Sequence, residues 1–292
     1  MPIIIDGKKT ARDIRNEIKL EVEKITSEGK RAPHLAAILV GEDPASRTYV
    51  NSKIKACQEI GFSSSLLKFD ADISEKFLLD EIEKLNRNPE IDGYIVQLPL
   101  PDHIDEHKVT LKVAPEKDAD GFHPMNLGKM LIGLPTLLPA TPYGILELIK
   151  RYEIPTEGKQ ILVIGRSLIV GRPLSILLSQ KRQGGNATVT VAHSRTKNIR
   201  DLTGQADIVI TALGQAHFLT ADMVKEGVVI IDAGINSIED ASRKRGYRLV
   251  GDADFEAVSP KASYITPVPG GVGPMTIAML LKNTLKAYQA DF

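Results

Sequence analysis

Apolar positions along the first half of the chain follow two periods in turn. Ile14, Ile18, Val22 and Ile25 recur at helical spacing, which predicts a helix capped by Thr10 and ended by Gly29. The run HLAAILVG (34–41) has no polar break and reads as a buried strand. Asp43 and Pro44 supply the cap and first turn of a helix over 45–60, which Gly61 closes. SLLKF (65–69) predicts another strand, and Ser74 opens a helix to about Asn86 with Leu78, Ile82 and Leu85 turned inward. DGYIVQL (92–98) follows as a further buried strand. Strands alternating with helices predict an α/β fold built on a parallel sheet.

The rhythm weakens between Pro99 and Pro142, where seven prolines mark a loop-rich border. Thr141 and Pro142 then open a helix that leads into KQILVIG, the first strand of a second series with ATVTVAH, DIVITALG and VVIIDAGI. The pattern predicts two α/β domains: a catalytic one over 1–140 and a Rossmann-type dinucleotide-binding one over 141–273. The last segment, 274–292, is expected to be a helix that returns to the first domain. In the second series ligands gather at the carboxyl ends of the strands.

Composition narrows the function. Lys plus Arg and Asp plus Glu both number 37, so no net charge draws the chain to nucleic acid or to an anionic membrane. One cysteine, Cys57, excludes an intrachain disulfide, and the six histidines show no metal-binding spacing, so no metal is expected. No apolar run approaches ~20 residues, so the expected location is cytoplasmic.

Two groups of residues carry candidate chemistry. In QILVIGRSLIVGRPLSILL a strand delivers Gly165 into a turn and Gly171 lies near a helix start, a geometry that lets backbone N–H groups approach a pyrophosphate. The spacing is G-x5-G rather than GxGxxG, and a plain strand-to-helix turn would account for it equally well. The next strand ends in His193, Ser194 and Arg195, with no carboxylate for a ribose 2′-hydroxyl. Together with Arg166, that end suits a 2′-phosphate, so NADP is expected over NAD.

The second group begins with Tyr49 and Lys53, i and i+4 on one helical face beside Val50, Ile54 and Cys57. Partial desolvation there would make the lysine amine a usable base or polarising acid. From spacing alone, a snorkelling lysine beside a packed tyrosine is the commoner arrangement. Gln97 ends a buried strand that Pro99 stops, where its amide must pair or face a cleft. Asp120 shares a turn with Asp118 and Gly121, and turn capping would explain either carboxylate. PVPGGVGPMT (267–276) offers a glycine-rich wall before a proline-started helix.

Taken together, YVNSK (49–53), QLPLP (97–101), KDADGFHP (117–124), GRSLIVGRP (165–173), HSRT (193–196) and PVPGGVGPMT resemble the methylenetetrahydrofolate dehydrogenase/methenyltetrahydrofolate cyclohydrolase family in order and separation. The resemblance spans nearly the whole chain. It implies oxidation of 5,10-methylenetetrahydrofolate by NADP and hydrolysis of the methenyl product to 10-formyltetrahydrofolate, both in one cleft. It also implies roles. Lys53 is the catalytic lysine, Gln97 its tuning partner, Tyr49 the platform under the folate and Asp120 the pterin anchor. Leu98, Pro99, Pro269, Gly270 and Gly273 line the folate pocket, while Gly165, Arg166, Ser167, Ser194, Arg195 and Ile235 hold NADP. Folate derivatives, with or without a polyglutamate tail, would be the substrates, and a homodimer through the dinucleotide-binding domain the assembly. Three other readings fit parts of the pattern. A short-chain dehydrogenase would place its Tyr-xxx-Lys pair after the glycine-rich turn, whereas Tyr49 precedes Gly165. A nucleotide-sensing module would have no use for Tyr49, Lys53, Gln97 and Asp120 together. A dehydrogenase lacking the hydrolytic step would be expected to lack Lys53 or Gln97.

Overall fold

The computed structural model describes residues 1–243 and 246–290. In chain order the elements are β1 (Ile3–Ile4), α1 (Gly7–Ser27), β2 (His34–Val40), α2 (Pro44–Ile60), β3 (Ser63–Phe69), α3 (Glu75–Arg87), β4 (Gly93–Val96), α4 (Glu106–Lys112) and α5 (Pro124–Leu131). They continue with α6 (Ala140–Arg151), β5 (Gln160–Ile164), α7 (Gly171–Ser179), β6 (Thr188–Ala192), α8 (Ile199–Gln205), β7 (Ile208–Thr211) and β8 (Val228–Asp232). Last come β9 (Asn236–Glu239), β10 (Tyr247–Val250), α9 (Phe255–Val258), β11 (Ala262–Ile265) and α10 (Val272–Gln289).

The chain forms two compact α/β units, one of residues 12–140 with 277–292 and one of residues 1–11 with 141–276. The first unit holds a three-stranded parallel sheet in the order β3-β2-β4. From Leu35 to Val40 every residue of β2 is buried, as a central parallel strand demands. Leu78, Ile82 and Leu85 of α3 pack with Ala36, Ile38, Val40 and Tyr94 in one core. Helix α2 starts where Asp43 accepts a hydrogen bond from Ser46 N, has proline in its first turn, and stops at Gly61 in the left-handed conformation. From Ile277 onward α10 belongs to this unit, where Asn283 Nδ2 donates to the carbonyls of Ala119 and Leu138 at 2.9 and 2.8 Å.

The second unit carries a six-stranded parallel sheet in the order β1-β11-β8-β7-β5-β6. Counted from β5, its five main strands lie in the order 2-1-3-4-5, so the order reverses between β5 and β7. A crevice for ligand belongs at that reversal, outside the carboxyl ends of the strands. An antiparallel pair, β9 with β10, stands apart from the main sheet.

Several expectations need correction. The first 11 residues do not belong with the proposed 1–140 domain, because Ile3 and Ile4 pair in parallel with Tyr264 and Ile265. The first helix begins at Gly7, and Asp6 caps it by accepting from Lys9 N; Thr10 lies inside, its hydroxyl turned back to Asp6 O. The final helix starts at Val272 rather than 274, and residues 272–276 cluster with the second unit. The proline-rich border contains α4 and α5, both with side-chain caps, from Asp105 and His123.

Candidate active site

In the first unit, α2 positions the candidate lysine, Lys53. Lys53 lies one turn beyond Tyr49; Val50 and Cys57 anchor the helix in the core while the Tyr49 ring stays exposed. β4 stops at Val96, but Gln97 N still donates to Ile38 O at 2.9 Å, so the ladder fixes the Gln97 backbone. Its side-chain amide is engaged at both ends. Lys53 Nζ donates to Gln97 Oε1 at 3.1 Å, and Gln97 Nε2 donates to Leu98 O at 2.7 Å. The Leu98–Pro99 peptide is cis.

The two aspartates of the next turn divide the work. Asp118, 5 % exposed, accepts from Gly121 N, His123 N and Asn126 Nδ2. That is turn capping. Asp120 has no hydrogen-bond donor to its carboxylate among the described residues, although its carbonyl accepts from Ala140 N. Burial pushes the Asp120 carboxyl above the usual carboxylate range, the Lys53 charge pulls it down, and Asp118 adds to the rise. Asp118 is also raised by burial, against the pull of the hydrogen bonds it accepts. Lys53, Gln97 and Asp120 are thus brought together in one unit, Lys53 and Gln97 by a hydrogen bond and Lys53 and Asp120 by charge. Cys57, buried on the same helix, has its thiol pushed up to about 12 by desolvation and is no nucleophile.

In the second unit, a cavity of about 390 Å³ is lined by Gly165 and Arg166 after β5, His193, Ser194 and Thr196 after β6, and Ala212, Leu213 and Gln215 after β7. It lies at the strand-order reversal. Two glycines make the turn possible. Gly165 has φ +133°, and a Cβ there would fall 2.2 Å from Ala212 O; at Gly171 it would fall 2.1 Å from Gly165 O. Ser167 does not line the cavity; its hydroxyl caps the turn by accepting from Val170 N and Gly171 N. Arg195 is exposed and also outside the lining, with its N–H on His193 Nδ1. Pro269, Gly270 and Gly273 belong to this unit too, and with Ile235 they line a smaller pocket of about 120 Å³. A larger hollow of about 510 Å³ between Ile149 and Asn186 touches none of the predicted site residues.

Leu213 and Gln215 were not anticipated. Their position, just past the end of the strand DIVIT, was the available signal, because cofactor walls form at such ends. Asp232 and Asp252 were missed as well. Both are almost wholly buried and lie among loops that border the two pockets. No three His, Cys, Asp or Glu side chains among the described residues are arranged to hold a metal ion.

Comparison with known proteins agrees along the whole chain. A family model for the tetrahydrofolate dehydrogenase/cyclohydrolase catalytic domain matches residues 5–120, and one for the NAD(P)-binding domain of the same family matches residues 139–292. The bifunctional protein FolD of Flavobacterium johnsoniae is 60% identical over 284 residues, which cover 97% of this chain and 96% of that one. The crystal structure of the bifunctional FolD methylenetetrahydrofolate dehydrogenase/cyclohydrolase from Campylobacter jejuni is 46% identical, covers 100% of both chains and superposes with a TM-score of 0.94. That of the Trypanosoma brucei enzyme, complexed with NADP cofactor and inhibitor, is 38% identical with a TM-score of 0.93 and covers 99% of this chain and 98% of that one. The chain therefore belongs to the tetrahydrofolate dehydrogenase/cyclohydrolase family.

Proposed function

We propose that this chain oxidises 5,10-methylenetetrahydrofolate to the 5,10-methenyl cation with NADP and hydrolyses that cation to 10-formyltetrahydrofolate. The observation that carries the proposal is the 3.1 Å hydrogen bond from Lys53 Nζ to Gln97 Oε1, in the unit where the Asp120 carboxylate has no hydrogen-bond donor among the described residues. A partly buried carboxylate that no donor among the described residues engages is ready to accept the paired N–H donors of a pterin ring. Tyr49 offers an exposed ring one helical turn from the lysine, suited to stacking on a flat ligand.

For hydrolysis, water adds to the cationic carbon and one of that carbon's two bonds to nitrogen breaks; one of the water's protons ends on the freed nitrogen and the other leaves. Lys53 is the group placed to take that proton. A positive substrate repels an ammonium beside it, so substrate binding favours the free amine. Gln97 orients the amine without adding a charge, its own amide nitrogen being held on Leu98 O. The oxidation needs no protein acid; it depends on holding two reactants in register. NADP, when bound, supplies the oxidant. Arg166 and Ser194 in the 390 Å³ cavity are suited to its phosphates, and the missing side chains at Gly165 and Gly171 let the turn that carries Arg166 close on itself. Arg195 and Ser167 belong to the same turns, with Ile235 at the neighbouring pocket. Folate substrates with or without polyglutamate tails, a cytoplasmic location and a homodimer formed through the dinucleotide-binding unit complete the reading. Among the described residues no helix is long and apolar enough to cross a membrane.

The test is direct. Purified protein is incubated with methylenetetrahydrofolate and either NADP or NAD, while methenyl absorbance and reduced cofactor are followed separately. Faster reduction of NADP, with the methenyl compound then consumed, is expected. No turnover with either cofactor would overturn the proposal.

A further inference from the structure

Two buried carboxylates lie outside the chemistry just described. Asp252 follows β10, is 0 % exposed, and accepts four hydrogen bonds: Oδ2 from Leu213 N at 2.8 Å and Gly214 N at 3.2 Å, Oδ1 from Gln215 N at 2.8 Å and Asn236 Nδ2 at 2.9 Å. Asp232, at the end of β8, holds Asp252 in turn. Its Oδ1 accepts from Asp252 N, Gly234 N and the Thr211 hydroxyl, and its Oδ2 accepts from Ala253 N. Neither acid forms an ion pair among the described residues, so backbone, amide and hydroxyl dipoles hold them. The backbone is shaped to admit them. A Cβ on Gly234 would fall 2.2 Å from Asp252 Cγ, and one on Gly251 would fall 1.9 Å from Asp232 Oδ2.

We propose that Asp252 is a positioning residue for the dinucleotide site, fixing the loop after β7 and the loop after β8 to one carboxylate so that the walls of the two pockets keep their spacing. Leu213 and Gln215 line the 390 Å³ cavity, and Gly234 and Ile235 line the 120 Å³ pocket. Three consecutive N–H groups, from Leu213 to Gln215, converge on Asp252, and Asn236, the first residue of β9 directly after the other loop, reaches the same oxygen as Gln215. Packing alone would be served by an apolar side chain; four directed acceptor contacts fix loop geometry. The inference rests on the NADP reading above.

Asp252→Asn tests it, because the amide keeps the shape but presents N–H groups where donors already point. NADP affinity and KM for NADP in the dehydrogenase assay are measured beside hydrolysis of methenyltetrahydrofolate, a step that needs no cofactor. With at least one N–H left unpaired, NADP affinity is expected to fall about tenfold, with KM rising in parallel and hydrolysis changing by less than about twofold. Asn236→Ala removes one donor and leaves the three backbone bonds, and a fall of about threefold is expected without loss of folding. NADP affinity unchanged in both variants overturns the inference. So does a parallel loss of hydrolysis and cofactor affinity, which marks a general support of the fold. If the wild-type chain binds no nicotinamide cofactor, the NADP reading falls, and this inference with it. If it does bind and the variants match it, only this inference falls.

Discussion

Asp118 and Asp120 flank one residue in a single turn and meet opposite fates: Asp118 accepts three hydrogen bonds from its own turn and the following helix, while the Asp120 carboxylate accepts none from the described residues. Because Asp118 closes the turn, Asp120 is free for a ligand. The turn is clamped from both sides. Asn283 donates to Ala119 O, and a Cβ on Gly121 would fall 2.4 Å from the Leu138 backbone.

Asp120→Asn should therefore raise stability and abolish folate binding. The folded-state carboxyl of Asp120 is raised by burial, so its charged form opposes folding. Below the ordinary carboxylate range the group is neutral in folded and unfolded chains, and wild type and variant should be equally stable. As pH rises through the raised folded value, wild type loses stability that the neutral amide keeps. The gap should open above about pH 4 and level off once the raised folded value is passed. Urea unfolding at several pH values would measure it. A variant less stable than wild type at neutral pH would show that the carboxylate supports the fold.

How much of this could be read from the sequence depended on whether a residue's partner was near it in the chain. The lysine helix was legible because Asp43, Pro44 and Gly61 mark its ends locally, and Tyr49 and Lys53 share a face whatever surrounds them. Gln97 was legible because Pro99 ends an apolar run beside it. By contrast, Ile3 and Ile4 become a strand only through Tyr264 and Ile265, some 260 positions away, and ASYI is too short to announce itself as the strand they join. Asp252 was invisible for the same reason. Nothing near it in sequence shows that its acceptors serve amides 37–39 residues earlier.

Gly165→Ala should be strongly disruptive. The backbone there has φ +133°, and the added methyl would meet Ala212 O at 2.2 Å, a backbone atom of the neighbouring strand end. Strain and overlap together should cost about 3 kcal/mol. Denaturant unfolding followed by circular dichroism would read the loss directly, and NADP affinity should fall with it because Ala212 lines the same cavity. A loss under 0.5 kcal/mol, on the order of an ordinary surface change, would mean that the turn can rearrange.

Cys57 should be silent to thiol reagents in the folded chain. Burial on α2 pushes its thiol up to about 12, so at pH 8 the thiolate fraction is on the order of one in ten thousand. The thiol is neutral in both folded and unfolded chains at pH 7. Its contribution to stability is lost only as pH climbs from about 9 towards about 12. Labelling should follow the opening of the helix that carries Lys53, and its rate should rise with urea and fall when a folate ligand is bound. Rapid labelling of the native protein at pH 7 would contradict the burial.

Gln97→Glu puts the strongest demand on the proposed role of the lysine. The substitution is nearly isosteric, but it exchanges a neutral acceptor for an anion 3.1 Å from Lys53 Nζ and removes the donor to Leu98 O. An anion at that distance holds the lysine in its charged form, which cannot take a proton from water. Hydrolysis of methenyltetrahydrofolate should fall about 100-fold, the size of a lost general base, while hydride transfer, which depends on positioning, should fall far less. The two rates measured on one preparation separate these effects. Gln97→Ala, which adds no charge, should leave more hydrolysis than Gln97→Glu. Equal losses in the two variants would indicate that Gln97 acts only by orienting Lys53.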